Sequence, residues 1–479
     1  MDDSTRQETH GPADGVIAPG GKWTILAAMA FVTLFLTLDG GMVSISFPTL
    51  VQEFSTDPST VLWVSTAFFL TTVSLIFTTA WVADTVGRKR LFIAGLTVYV
   101  IGLGMAPLAP TVIALILIRM LQAAGTAMVV PNVDAIVTAA FPKNQRGRAL
   151  GLIGASVGLG LGLGPATGGL LLDALDWRAL FWSRVPLGII GILLAMAILP
   201  SDHRRRDVSL RFDYIGPVIL AATATTFLLA INLAGRGGVE QLVVWSFAGA
   251  SPVLLLVLLA VERRAVRPVL DIAQFRNRVF TISQATLVFH YIANGMVTFL
   301  GAFFLINGLE MTAGRAGMVL TVFPAIRVIG APISGMVADR WGSRIPTVFG
   351  MSVLGVGLFM LSRVAGDVSL WGIVAALALS GLGSAFFEPP NTSAIMGSAS
   401  QGRLSSAGAF IAAGRQVSHS IGFVVAGAIF AIRQDVHLGT MVGESSAARA
   451  VVSSFSDAMV VAAALCFVGA MVSYFRGRG

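Results

Sequence analysis

Ionisable side chains lie inside long apolar runs of this sequence, and these are the residues that could do chemistry. Asp39 and Arg119 each fall near the middle of such a run, and Glu388 lies in another run toward the end of the chain. An ionised side chain in hydrocarbon costs about 3 kcal/mol or more, so such residues usually face a cavity and work there. Because burial favours the protonated form of a carboxyl group, Asp39 is the first candidate for an acid that exchanges a proton. The alternative for Asp39 is a structural hydrogen bond to a neighbouring helix.

Opposite charges at similar depth predict two ion pairs. We expect Arg119 to pair with Asp39 from an antiparallel helix, so that protonation of Asp39 would release Arg119 and link charge to shape. Glu388 and Arg415 both lie toward the inner half of their runs and can neutralise each other. A fixed structural ion pair and a substrate site fit this second pair equally well.

Three further ionisable residues lie within apolar runs. Arg184 is near the outer end of its run, and we expect its long side chain to reach the membrane surface. Arg327 is near the middle of its run and cannot easily do so. His290 could titrate near neutral pH, with a simple hydrogen bond as the alternative role.

The composition indicates a membrane protein built from helices. Of the 479 residues, 55% are hydrophobic and 12% are charged, whereas about 25% of the residues of soluble domains are charged. Apolar runs of about 20 residues cross a hydrocarbon core as helices. We therefore predict an all-α, multi-pass protein of the cell membrane with fourteen transmembrane helices. The predicted spans are 23–50, 59–83, 91–109, 111–140, 148–173, 179–199, 213–234, 242–262, 279–307, 314–338, 345–364, 369–397, 404–431 and 457–475.

The distribution of positive charge predicts the orientation. Segments assigned to one side of the membrane hold 22 of the 32 Lys and Arg residues, and segments assigned to the other side hold six. Positive charge favours the cytoplasmic side, so both termini are expected in the cytoplasm. Residues 1–22 are interpreted as a disordered cytoplasmic tail, and residues 432–456 as the longest outer loop. The net charge of +8 is then explained by the basic residues on the cytoplasmic side, and no nucleic-acid partner is expected.

A short motif occurs twice at equivalent places. "AWVADTVGRKR" (80–90) follows the second span and "GMVADRWGSR" (335–344) follows the tenth, each with Val-Ala-Asp ahead of a glycine. Internal repeats are common in secondary transporters, whose binding site lies between the repeated halves. The repeat predicts an N-terminal six-helix half at 23–199, an inserted helix pair with basic cytoplasmic linkers at 200–278, and a C-terminal six-helix half at 279–479.

These motifs resemble those of the major facilitator superfamily, and the fourteen-span count resembles its drug:proton antiporter branch. In the fourth span Arg119 and Gln122 match the family's R-x-x-Q-G-x-G pattern, whereas Arg184 stands where the branch usually has Asn. The family's loop motif, G-x-L-A-D-R-x-G-R-K, is interpreted as a latch between conformations, with an ordinary basic hairpin as the alternative. The residues that match this motif and its second copy are Asp84, Gly87, Arg88, Asp339, Arg340 and Gly342. The turn requires a positive φ at Gly87.

A glycine-rich stretch, "GLGLGLGPATGG" at 158–169, resembles the antiporter motif of that branch. The residues that fit the motif are Gly164, Pro165, Gly168 and Gly169. On a helix, glycines form two stripes on roughly opposite faces, namely Gly154, Gly158 and Gly162, and Gly160, Gly164 and Gly168. Small residues let membrane helices approach closely, so we expect a neighbour on each face, one from each half. Simple tight packing is the alternative, and Pro165 favours a bend.

The resemblance implies a secondary active transporter that exports hydrophobic or amphipathic, drug-like compounds in exchange for protons by alternating access. The candidates for proton coupling are Asp39, Glu388 and His290. The candidates for the substrate cavity are Asp39, Arg119, Gln122, Arg327, Glu388, Asn391 and Arg415. A carrier for an organic anion or metabolite is the alternative, because arginines outnumber acids among the ionisable candidates. A receptor or scaffold that lost transport is a third possibility.

Other chemistry has no motif in this chain. No G-x-x-x-x-G-K-[ST] loop and no metal-binding or nucleophile motif occurs, so neither ATP hydrolysis nor another enzymatic reaction is expected. The lone cysteine, Cys466, excludes a disulfide framework. We expect a monomer without a cofactor or metal, whose partners are a small-molecule substrate, protons and membrane lipids.

Overall fold

The computed structural model describes residues 21–142, 145–200, 215–234, 241–264, 272–363, 369–398, 404–440 and 446–476. Almost all of these residues are helical, as the all-α prediction requires. The α-helices are α1 (Gly21–Ile45), α2 (Phe47–Glu53), α3 (Pro58–Val61), α4 (Trp63–Val86), α5 (Arg88–Met105), α6 (Val112–Ala140), α7 (Arg146–Ala174), α8 (Ala179–Trp182), α9 (Val185–Ile198), α10 (Ile215–Ala234), α11 (Gln241–Arg264), α12 (Arg278–Phe303), α13 (Ala313–Trp341), α14 (Arg344–Arg363), α15 (Leu370–Ser398), α16 (Leu404–Thr440) and α17 (Ser446–Tyr474).

Thirteen helical segments of the described chain are long and apolar enough to cross a membrane. The helix α10 occupies the place of the predicted seventh span, but its apolar stretch, Val218–Phe227, is shorter. The total of fourteen and the cytoplasmic termini therefore stay predictions. Residues 1–20 of the predicted tail and the linkers at 201–214 and 265–271 lie outside the described residues.

The predicted outer loop at 432–456 is wrong. The helix α16 continues to Thr440 and α17 begins at Ser446, so the two helices extend well past the apolar runs. Arg433 on α16 donates a hydrogen bond from Nε to Oδ2 of Asp457 on α17 at 2.6 Å, which joins the two extensions. Hydropathy ends a span where polar residues begin, whereas helix propensity lets the helix continue through Ala, Ser and Arg.

The helices run back and forth between two ends of the bundle. We call the end that carries Lys22, Lys89 and Arg344 the basic end, and the end that carries Glu53 and Asp173 the opposite end. At the basic end Lys89 Nζ donates to the carbonyl oxygens of Met196 (2.9 Å) and Leu199, at the carboxyl end of α9. These bonds satisfy carbonyl groups that have no partner within the helix.

The two copies of the motif form similar turns. We use the names first half for α1–α9 and second half for α12–α17, after the predicted division of the chain. A single glycine, Gly87 with φ 112°, separates α4 from α5, and Gly342 with φ 77° ends α13 before α14. These are the two glycines of the described chain with φ in the left-handed region, which side chains with a Cβ rarely adopt. The requirement for a positive φ at Gly87 is thereby confirmed.

The inserted pair lies at the edge of the bundle. The helix α10 packs on α4, α16 and α11, whereas α11 contacts α10 and the short 3-10 helix Ile272–Arg276. Large apolar side chains of α11, such as Trp245 and Leu256, are exposed. An exposed face of large apolar side chains fits contact with lipid tails.

Candidate functional site

The first buried charge cluster joins three helical elements of the first half. Arg119 on α6 forms a bidentate ion pair with Asp39 on α1, with Nη1 to Oδ1 at 2.9 Å and Nη2 to Oδ2 at 2.7 Å. Arg184, at the break between α8 and α9, donates from Nη1 to the same Oδ1. We call Asp39, Arg119 and Arg184 the Asp39 cluster. Its net charge is +1.

Surrounding groups add further hydrogen bonds to the Asp39 cluster. Arg119 Nη1 also donates to Gln122 Oε1 at 2.6 Å, and its guanidinium carbon lies 4.3 Å from the ring centroid of Phe68. Arg184 Nε donates to the Leu180 carbonyl at 2.8 Å. The side chains of Asp39 and Arg119 are only 3% and 2% exposed, so the cluster is enclosed within the first half.

This burial changes two expectations. Arg184 does not reach the membrane surface, because the helix break at Ser183 and Arg184 turns its side chain inward onto Asp39. Asp39, Arg119 and Gln122 do not line an accessible cavity in this conformation, because their side chains are buried inside the first half. The predicted pairing of Asp39 with Arg119 is confirmed.

The second charge cluster lies in the second half, where α12, α13, α15 and α16 converge. Arg415 Nη2 lies 3.1 Å from Glu388 Oε1, and Arg327 Nη1 lies 3.4 Å from Glu388 Oε2. The Tyr291 hydroxyl donates to Oε1 at 2.5 Å, and Arg415 Nη2 donates to Thr392 Oγ1 at 3.2 Å. We call Glu388, Arg327, Arg415 and Tyr291 the Glu388 cluster. The predicted pairing of Glu388 with Arg415 is confirmed.

The two clusters have the same net charge and different access to water. The side chains of Glu388, Arg327 and Arg415 are 18%, 15% and 36% exposed, in contrast to the enclosed Asp39 cluster. In the Glu388 cluster each arginine makes a single contact with the carboxylate, at 3.1 or 3.4 Å. In the Asp39 cluster Arg119 forms a shorter, bidentate pair. The Glu388 cluster is therefore the accessible ionisable site at membrane depth among the predicted cavity residues.

His290 and Asn391 lie inside the second half. The His290 ring stacks on Phe387 at 4.4 Å between ring centroids, and its Nε2 lies 3.3 Å from Ser384 Oγ. Asn391 Nδ2 donates to the Ser283 carbonyl at 3.0 Å, and its Oδ1 accepts from Arg476. Both side chains are almost fully buried. Asn391 therefore does not line an accessible cavity in this conformation, contrary to the prediction, and the predicted role of His290 in proton coupling stays a prediction.

The glycine-rich helix α7 packs against both halves. On one face a Cβ at Gly164 would lie 2.8 Å from Gly41 Cα and from the Leu38 carbonyl oxygen of α1, and Gly160 and Gly168 meet the same helix. On the other face a Cβ at Gly158 would lie 2.6 Å from Val328 Cγ2 of α13. Gly169 meets the Ala313 carbonyl at the start of α13. The expected contact with a helix of each half is confirmed.

Among the described residues, the contacts between the halves named here lie from the middle of the helices to the opposite end. There Phe47 packs on Phe299 and Phe423, with ring centroids 5.4 and 6.0 Å apart. Asp173 Oδ2, at the end of α7, accepts a hydrogen bond from the backbone N–H of Gly314 at 2.8 Å. The helix α7 runs unbroken through Pro165, whose Cδ would lie 2.5 Å from a Cβ at Gly41.

The loop motif is described in part. Arg88 begins α5, and Arg340 lies in the last turn of α13. The side chains of Asp84 and Asp339 are outside the part of the chain that the structure describes. The pairing of Asp84 with the basic run therefore stays a prediction.

Two functional contacts were not predicted from the sequence. Tyr291 follows His290 directly and carries the hydroxyl that bonds to Glu388; a tyrosine within an apolar span was the available signal. Asp173 lies five residues beyond Gly168, and its position at the end of the glycine-rich helix could have suggested a contact with the facing half.

Thirteen described helical segments that can cross a membrane, with ionisable clusters between them, are typical of a multi-pass membrane transporter. The sequence matches the family model of the Major Facilitator Superfamily over residues 29–422 and 284–478, and the chain belongs to that family. It is a multi-pass protein of the cell membrane.

Similar proteins are transporters and export proteins. The chain is 29% identical over 461 residues to the riboflavin transporter RibZ of Clostridioides difficile (strain 630), which covers 95% of this chain and 98% of that protein. It is 27% identical over 432 residues to the tetracenomycin C resistance and export protein of Streptomyces glaucescens, covering 88% and 78% of the two chains. It is 28% identical over 409 residues to the multidrug resistance protein Stp of Mycobacterium tuberculosis (strain ATCC 25618 / H37Rv), covering 85% and 75%.

Solved structures share the fold. A bacterial homologue of the human lysosomal transporter Spinster, in an inward-facing and unoccupied conformation, has a TM-score of 0.68 at 14% identity and covers 96% of this chain and 97% of that chain. A bacterial homologue of the human drug peptide transporters PepT1 and PepT2 has a TM-score of 0.67 at 15% identity, covering 95% and 97%. At these identities the likeness concerns the fold alone.

Proposed function

We propose that this protein exports hydrophobic or amphipathic small molecules in exchange for protons, by alternating access between its two halves. The observation that carries the proposal is the partial exposure of Glu388, an acid at membrane depth that Arg327 and Arg415 hold in place. A carboxyl group that water can reach at membrane depth is able to take up a proton when a bound substrate or a change of conformation draws its arginine partners away. The resistance and export proteins among the relatives support the direction of transport and the class of substrate.

Glu388 replaces Asp39 as the leading candidate for proton coupling. Asp39 accepts three hydrogen bonds from two arginines and is enclosed by protein. Protonation of Asp39 would leave two arginines buried without a counter-charge, which is strongly destabilising. Glu388 accepts fewer charged contacts and lies where water can reach it. We assign the Asp39 cluster a structural role and the Glu388 cluster the proton-carrying role.

Protonation of Glu388 would act on the contacts between the halves. Loss of its charge weakens its bonds to Arg327 on α13 and Arg415 on α16. Val328, next to Arg327, packs against Gly158 of α7. On α16 the His419 ring packs against Phe69 of α4 at 5.4 Å between centroids. A change at Glu388 therefore reaches the two helices that face the first half.

The orientation completes the proposal. The basic end faces the cytoplasm, α10 is the seventh of fourteen membrane helices, and the protein works as a member of the drug:proton antiporter branch. Because the described contacts between the halves lie toward the opposite end, the space between the halves opens at the basic end, toward the cytoplasm, in this conformation. The substrate enters between the halves, where Glu388, Arg327 and Arg415 are exposed. The repeated loop motifs lie at the cytoplasmic surface, near acidic lipid headgroups, and the protein acts as a monomer.

Growth of an efflux-deficient bacterial host tests the proposed function. The host expresses the wild type, Glu388→Gln or Glu310→Gln, and each strain is challenged with a panel of toxic amphipathic compounds. Glu310 is an exposed acid in the turn before α13 and serves as the matched control. We expect the wild type and Glu310→Gln to raise tolerance to a subset of the panel, and Glu388→Gln to lose that effect at equal expression. If the strain that expresses the wild type tolerated every compound only as well as the host without the protein, export would be contradicted.

A further inference from the structure

The Glu388 cluster offers more hydrogen-bond donors than acceptors. Arginine carries five N–H donors, yet Arg327 reaches Glu388 through one contact at 3.4 Å. Arg415 uses Nη2 for both Glu388 and Thr392, and its buried Nε has no hydrogen-bond partner among the described residues. The Arg415 Nε is enclosed, so the donors available to a ligand with acceptor oxygens are those of Arg327 that no protein group uses and the accessible Nη groups of Arg415.

Three groups already contact the Glu388 carboxylate. Its Oε1 accepts from Tyr291 and faces Arg415, and its Oε2 faces Arg327. A cationic ligand that approached the carboxylate would lie beside the guanidinium groups of Arg327 and Arg415. It would also meet a net charge of +1 in the Glu388 cluster and a second net charge of +1 in the Asp39 cluster. Charges interact strongly in a medium of low dielectric, so this field disfavours cations.

A surface for the apolar part of a ligand adjoins Arg415. His419 lies four residues further along α16, and residues at i and i+4 share one helix face. The His419 ring packs against Phe69 of the first half and Phe423 of the second half. Phe423 is buried, whereas His419 and Phe69 are partly exposed, so a ring system on these two side chains would place its polar group near the guanidinium of Arg415.

We infer that the polar group of the substrate is an oxygen acceptor without positive charge, bound by Arg327 and Arg415. A ketone, carboxylate or phosphate oxygen has this chemistry, whereas an ammonium group is rejected. The inference rests on the proposed function, because it takes the Glu388 cluster as the substrate site. It narrows the amphipathic compounds of that proposal to neutral or anionic ones.

Binding of matched naphthalene probes tests the inference. Saturation-transfer difference NMR on the purified full-length protein in detergent compares 2-acetylnaphthalene, 2-naphthoate and 2-naphthylmethylammonium at neutral pH. We expect the ketone or the carboxylate, or both, to bind at least about tenfold more tightly than the ammonium compound, because one charge-assisted hydrogen bond has that value. The comparison of ketone with carboxylate shows whether a neutral or an anionic acceptor is preferred. Equal or tighter binding of the ammonium compound would overturn the inference.

Variants locate the binding to the cluster. Arg415→Gln and Arg327→Gln should each weaken binding of the preferred probe about tenfold, whereas Arg433→Gln should not. Arg433 lies on the same helix as Arg415, toward the opposite end, and pairs with Asp457. If Arg415→Gln does not fold, Arg415→Lys provides the second variant, with a point charge in place of the planar donor group. Retained binding in both folded cluster variants would contradict the assigned site.

The outcome is separable from that of the proposed function. The binding measurement needs no proton gradient and uses Glu388 unchanged. Selective binding of acceptor probes, together with proton-driven transport that survives in Glu388→Gln, would leave the inference standing and refute the assigned coupling role. Preferential binding of the ammonium compound, together with loss of coupling in Glu388→Gln, would refute the inference alone.

Discussion

Asp39 and Arg119 form a bidentate ion pair, at 2.9 and 2.7 Å, that Arg184 shares and that protein encloses almost completely. The pair joins α1 to α6, and Arg184 adds the start of α9. An ion pair in this position holds the helices of the first half in register. Because the pair is buried, we assign it a structural role, although an acid within an apolar span first suggests proton exchange.

Asp39→Asn should therefore destabilise the protein. Removal of one partner from a buried ion pair costs about 3 kcal/mol or more, so we expect a clear fall in the unfolding temperature in detergent. Glu388→Gln should have a smaller effect, because its cluster is partly exposed and its contacts are longer. If Asp39→Asn were as stable as the wild type but lost proton coupling, Asp39 would be the coupling acid after all.

Gly164→Leu should block transport without unfolding the chain. A Cβ at Gly164 already approaches α1 to 2.8 Å from a backbone carbon and a carbonyl oxygen, so a larger side chain forces α1 and α7 apart. Gly249→Leu on α11 is the control, because a Cβ there meets nothing within 4 Å and α11 lies at the edge of the bundle. Substrate exchange in proteoliposomes and helical content by circular dichroism provide the two measurements. If a folded Gly164→Leu variant exchanged substrate as fast as the wild type, the glycine stripe would serve tight packing only and would have no role in transport.

Asp173→Ala should favour opening at the opposite end of the bundle. The carboxylate of Asp173 bonds to the Gly314 N–H at the first turn of α13, where negative charge is favourable, and so joins the two halves. Spin labels placed on the two halves at that end should show a larger share of long distances in the variant. Asp176→Ala is the control, because Asp176 bonds to the Ala179 N–H within the first half. An unchanged distance distribution in Asp173→Ala would exclude this contact from the control of opening.

The sequence predicted the features that depend on composition and spacing. Asp39 and Arg119, and likewise Glu388 and Arg415, are ionisable residues in apolar runs with few possible partners, so their pairing followed from estimated depth. The two faces of α7 followed from the helical period. These predictions required no knowledge of how the helices pack.

Other features depend on packing that a single sequence does not encode locally. The inward turn of Arg184 results from a helix break between α8 and α9, which hydropathy treats as one continuous span. The exposure of Glu388 and the enclosure of Asp39 result from helix rotations, because both acids look alike in an apolar run. The length of α16 and α17 was missed since hydropathy follows the membrane and not the helix.

Proton-driven transport by Glu388→Gln tests the central claim most directly. Proteoliposomes with an acidic interior receive the panel compound to which the wild type gives the largest tolerance, and its accumulation is followed over time. In the wild type and in Glu310→Gln we expect the compound to accumulate inside above its outside concentration, driven by the proton gradient. In Glu388→Gln we expect gradient-independent exchange of the compound but no accumulation. Wild-type accumulation by Glu388→Gln would contradict the assignment of Glu388 as the proton-carrying residue.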